Sequence, residues 1–102
     1  MSTSWTTPSE SDVAFLRSIP GSDPTMRPVH VDGWQGLHDA SRLYVLEREG
    51  AYFLLTLNSS VMASSNEPEW HPHPAGLDEV LEAMADMERQ VREFEASASP
   101  GI

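Results

Sequence analysis

The apolar and polar positions fall into their clearest pattern between Arg42 and Asn58, RLYVLEREGAYFLLTLN, where two apolar runs are divided by Arg48, Glu49 and Gly50. Runs rich in Leu, Val, Tyr and Phe around a short polar, glycine-containing break predict a β-hairpin. A two-residue Glu49-Gly50 turn of the primed type would force Glu49 to positive φ. A three-residue loop asks this of Gly50 alone, so that loop is the expectation. Its register puts Leu43, Val45, Phe53, Leu55 and Leu57 on one face and Tyr44, Leu46, Tyr52 and Leu54 on the other. Both faces are apolar, so the hairpin needs two covers. Helices of the same chain supply one cover and part of the second, which leaves apolar surface for a partner.

The flanking pattern predicts two helices. Thr7-Pro8-Ser9-Glu10 has the form of a capping box with proline at the first helical position, and Val13, Leu16 and Ile19 follow on one stripe with Phe15 beside it. Pro20-Gly21 ends that helix near Ile19. The stretch 20–28 is a proline-broken connector. Val29 and Val31 then alternate with His30 and Asp32 as a short strand ending at Gly33, and Pro28 suits an edge position. Residues 58–76 form the longest irregular stretch, with Val61 to Ala63 a candidate extra strand. From Leu77 onward Val80, Leu81, Met84, Met87, Val91 and Phe94 recur at helical spacing, with Asp78 and Glu79 in the first turn.

The expected architecture is therefore α+β: an N-terminal helix, an antiparallel three- or four-stranded sheet around the central hairpin, and a long C-terminal helix packed on one sheet face. A single domain over 7–96 lies between a flexible arm, 1–6, and a flexible tail, 97–102. With 102 residues one core is available, enough to fold without staples.

Charge and composition narrow the function. Sixteen acidic residues stand against six basic ones, giving a formal net charge of −10, and all the basic residues are arginine. Such a surface repels phosphate backbones and anionic lipid, so neither nucleic acid nor membrane is an expected partner. The chain has no Cys, which removes disulfides, thiolate metal sites and cysteine nucleophiles. Without lysine there is neither a Schiff base nor a P-loop. No apolar run reaches the roughly 18 to 20 residues of a membrane span, and the N-terminus does not resemble a signal peptide, so a cytoplasmic location is expected.

Few residues suggest chemistry. His71 and His73 in Trp70-His71-Pro72-His73 are weak candidate metal ligands, since a structural zinc site wants four convergent ligands at defined spacing. His38 beside Asp39, with serine pairs at 59–60 and 64–65, supplies the residue types of a hydrolytic triad, but no Gly-x-Ser-x-Gly elbow. No glycine-rich phosphate loop is present, and no cofactor is expected.

The reading that follows is a non-catalytic acidic protein-interaction domain of the immunity, inhibitor, chaperone or accessory-subunit type. Its partner is another protein, a basic one by charge, or a second copy of the chain. The candidate contact residues are Trp34, Tyr44, Tyr52, Leu54 and Trp70, large groups on the hairpin or in loops. A small cofactor-free acid–base enzyme, an isomerase or cyclase with His30, His38 or Asp32 in a cleft, is the alternative. A metal-binding protein centred on His71 and His73 is a third.

Overall fold

The structure, a computed structural model, describes residues 5–60 and 68–98. In chain order it contains α1 (Glu10–Ser18), β1 (Arg27–Gln35), β2 (Asp39–Arg48), β3 (Ala51–Ser60), β4 (His73–Ala75) and α2 (Leu77–Ala98). The strands form one antiparallel sheet in the order β1-β2-β3-β4. One helix lies on each face, so the α+β expectation holds, with four strands and a short first helix. The candidate strand at Val61 to Ala63 lies outside the described residues.

The hairpin closes differently from the sequence expectation. Arg48 pairs with Ala51, so the loop has two residues, with Glu49 at φ 52° and Gly50 at φ 82°. These are the signs of a type I′ turn, whose twist matches that of the flanking strands. The strand pairing outweighs the left-handed cost of Glu49, about 1–2 kcal/mol. In this register Tyr44 faces Leu55 and Leu46 faces Phe53. Phe53, Leu55 and Leu57 therefore share a face with Tyr44 and Leu46, not with Leu43 and Val45 as expected.

The first face carries a core of Leu16, Ile19, Tyr44, Leu46 and Leu55 beneath α1, with Met26, Val31, Phe53, Leu57 and Trp70 packed around it. The second carries Leu43, Val45, Val80, Met84 and Met87 beneath α2, with Val29, Trp34, Tyr52, Leu54 and Val91 alongside. Each fully buried Leu, Val or Met contributes about 1.5–3 kcal/mol. Both covers come from the chain itself.

α1 begins two residues later than the sequence suggested. Ser9 is its N-cap, and the reciprocal box is Ser9 with Asp12, leaving Pro8 buried just outside the helix. Asp12 thus becomes the residue that ties the helix start to the sheet: its Oδ1 accepts from the Tyr44 hydroxyl and from Arg42 Nη1, each at 3.3 Å. Arg48 Nη1 fastens the connector after α1 by donating to Asp23 Oδ2 at 2.7 Å, and its guanidinium lies over the Phe53 ring.

Trp5 and Thr6, expected to belong to a loose arm, lie against the sheet. The Val31 N–H donates to the Thr6 carbonyl at 3.0 Å, and the Thr6 N–H donates to His30 Nδ1 at 2.8 Å. Trp5 sits edge-on to His30 and tilted against Tyr52. At the other end α2 continues through Ala98, past the expected start of the tail.

Candidate functional site

With nine residues, α1 is too short to cover strands of ten. A cleft of about 520 Å3 remains on its face of the sheet, bounded by Phe15 of α1, Ala40 and Arg42 of β2, Leu57 and Ser59 of β3, and Pro68, Glu69 and His71 of the chain leading into β4. Side chains alternate along a strand, so Ala40, Arg42, Leu57 and Ser59 reach the same face. Phe15, at 41 % exposure, forms an apolar wall that solvent still reaches.

Arg42, which lines the cleft, is held by Asp12 behind it. The Ser9 N–H bonded to Asp12 is the main influence holding that carboxyl below its usual range, and the Arg42 guanidinium adds to it. Burial pushes the Tyr44 phenol up, keeping it a neutral hydrogen-bond donor. Arg42 is paired with Asp12 yet half exposed where it lines the cleft. On the rim, His71 Nε2 and Glu69 Oε2 lie 2.9 Å apart, both largely exposed. On the opposite face of the same two strands Ser41 Oγ donates to Asn58 Oδ1 at 2.7 Å, stitching β2 to β3. Apolar walls with one cation, the Ser59 hydroxyl and the carboxylate and imidazole of the rim suit the side chains and backbone of a polypeptide.

A second concavity of about 620 Å3 lies on the opposite face, between Leu54 of β3 and the outer side of α2, where Glu79, Glu82, Asp86, Arg89 and Arg92 line it. Arg89 is engaged by Asp86 and Glu93.

The structure divides the residues singled out from sequence. Tyr44 has 0 % exposure beneath α1, and Trp70 is tucked against the same core, so neither is presented to a partner as a free aromatic. Trp34, Tyr52 and Leu54 belong to the α2 face. Trp34 lies in β1, not in a turn, stacked on Phe94 at 5.1 Å with its Nε1 donating to Gln90 Oε1 at 3.3 Å.

His30 is 3 % exposed whereas His38 is on the surface at the β1–β2 turn, so the two share no open cleft; the Asp32 carboxylate accepts the Gly33 N–H. His71 turns to Glu69 while His73 sits in β4 opposite Leu54. Among the described residues no three His, Asp or Glu side chains gather as a metal site.

Phe15, Arg42, Leu57 and Pro68 were not among the candidate site residues, and Ser59 was one only as half of a serine pair. The available signal was length, since a helix stopped by Pro20-Gly21 cannot span a hairpin of ten-residue strands.

Comparison with protein-family models, with curated proteins and with solved structures finds no match for this chain. No helix among the described residues is long and apolar enough to cross a membrane.

Proposed function

We propose that this chain is a non-catalytic acidic protein-interaction domain that seats a segment of a partner protein in the cleft between α1 and the chain leading into β4. The observation that carries this reading is the cleft's position. On a sheet whose two faces are otherwise covered by the chain's own helices, the short α1 leaves Phe15 and Leu57 bordering a space sized for side chains. Burying such apolar walls against a partner contributes about 25 cal/mol per Å2 removed from water. The net charge of −10 favours a basic partner and speeds its encounter.

The test places a photo-crosslinking benzoylphenylalanine at Phe15 in the full chain, irradiated in extract of the source cells. One polypeptide should crosslink saturably. Unlabelled wild-type chain should compete it away, and a Ser59→Arg chain, which fills the cleft from an exposed position, should not. The same label at Glu95, exposed on α2, should give no such product. Competition by Ser59→Arg as strong as by wild type, or no saturable product at all, overturns the reading.

A second reading, the acid–base enzyme, draws on the Glu69–His71 pair at the cleft rim. Native mass spectrometry separates the two: a bound small molecule displaced by Ser59→Arg supports the enzyme, a bound polypeptide the interaction domain.

A further inference from the structure

We propose that the partner segment is an extended strand, alternating apolar and basic residues, that adds to the edge of β3 beyond β4. This inference rests on the interaction reading and specifies its partner. The two-residue turn fixes which backbone groups of β3 point where. Arg48 and Ala51 flank the turn and exchange both hydrogen bonds, so in an antiparallel ladder Tyr52, Leu54, Thr56 and Asn58 turn their N–H and C=O away from β2. β4 takes the first two, with Ala75 opposite Tyr52 and His73 opposite Leu54. Pro74, which has no N–H to give, stands opposite Phe53, where none is needed.

β4 is three residues long and stops there. Thr56 and Asn58 are exposed, and among the described residues no strand pairs with them on that side. A row of outward backbone groups at a sheet edge is a template for strand addition, with main-chain bonds giving affinity and alternate side chains giving specificity. The two concavities lie on the two sides of this strand. On the α1 face an incoming strand meets Phe15 and Leu57 and presents apolar side chains to them. On the α2 face the concavity holds Glu79, Glu82, Asp86, Arg89 and Arg92. Arg89 is engaged by Asp86 and Glu93, so Glu79 and Glu82 outnumber Arg92 and the surplus of carboxylate favours a Lys or Arg there. A second copy of the chain is disfavoured as the occupant, since two surfaces of net charge −10 repel.

The probe is a synthetic nine-residue peptide alternating valine and lysine, read by amide hydrogen exchange and isothermal titration on the full chain. The Thr56 and Asn58 amides should exchange freely in the protein alone and slow at least tenfold with peptide. A valine–glutamate peptide, and a valine–lysine peptide N-methylated along its pairing edge, should each bind at least tenfold more weakly. Thr56→Pro should lose the peptide to the same extent while its thermal melt matches wild type.

If that variant fails to fold, the N-methylated peptide decides alone. Slow exchange at Thr56 and Asn58 in the free protein, equal binding of both charge patterns, undiminished binding of the N-methylated peptide, or dimerisation that protects these amides each overturns the inference. If it falls while the Phe15 crosslink remains saturable and insensitive to Ser59→Arg competitor, the cleft reading stands without strand addition. If the crosslink also fails, both are withdrawn.

Discussion

At the scale of single residues, His30 has the most consequential position. Its Nδ1 accepts the Thr6 N–H, so the ring must be neutral to hold the N-terminal segment against β1. Burial pushes its pKa below the ordinary 6.5, and the charge of Asp32 offsets this only in part. A depressed histidine pKa means that the unfolded chain binds the proton more readily. The stability from His30 is therefore complete above about pH 6.5 and is lost as pH falls toward the lower, folded-state value.

Urea midpoints should accordingly drop between pH 7.5 and pH 5.5. In His30→Gln, whose amide oxygen can accept the same N–H without titrating, the drop should shrink; equal drops in both proteins would refute the linkage. The role of His30 was not legible in sequence, where it was a candidate acid–base group. Alternation correctly put it in a strand, but only the docking of Thr6, twenty-four positions away, buries it and assigns its lone pair.

At the scale of elements, the central hairpin shows where local preference yields. Its strands were legible from their composition, as was the C-terminal helix from its apolar spacing. The turn was not, because the left-handed cost at Glu49 is local whereas the pairing that offsets it runs along the whole ladder. The two-residue turn lets the ladder run unbroken from Arg48–Ala51 to Asp39–Ser60, and it brings the Tyr44 hydroxyl under Asp12. Glu49→Asn should relieve the strain, because asparagine tolerates the left-handed region and Asn-Gly is a preferred type I′ pair. A gain of about 0.5–1 kcal/mol is expected, raising Tm by several degrees, and a calorimetric scan checks it. An unchanged or lowered Tm would mean that Glu49 is not strained.

The capping box makes a related point. The sequence pointed to a box at Thr7, and the structure places it at Ser9, where Asp12 also reaches Arg42 and Tyr44.

At the scale of the whole molecule, the sheet is enclosed by two helices of its own chain, which removes its broad faces from consideration as interfaces. Tyr44→Glu should therefore unfold the monomer, since an unpaired carboxylate buried at a site of 0 % exposure costs several kcal/mol. Far-UV dichroism should show the loss of a cooperative melt. Ser59→Arg, at an exposed position, should melt within about 0.5 kcal/mol of wild type. A folded Tyr44→Glu monomer would mean that α1 is not a fixed cover. What stays open is smaller than a sheet face: a cleft beyond the end of α1, and the strand edge beside it.

The sequence alone determined the two helices, the hairpin strands and the strand at Val29 to Val31, the α+β class, the two-sided apolar character of the hairpin and the acidic surface. These follow from residue spacing and charge, which act over a few neighbours or not through geometry at all. It did not determine β4, which lies at His73–Ala75 in a stretch that reads as irregular. Only the tertiary structure decided the hairpin register, because both faces are apolar and a one-residue slip carries little penalty until specific covers select it. The same holds for the cleft, which arises from a mismatch between the length of α1 and the strands it covers and becomes visible only when the two are superposed in space.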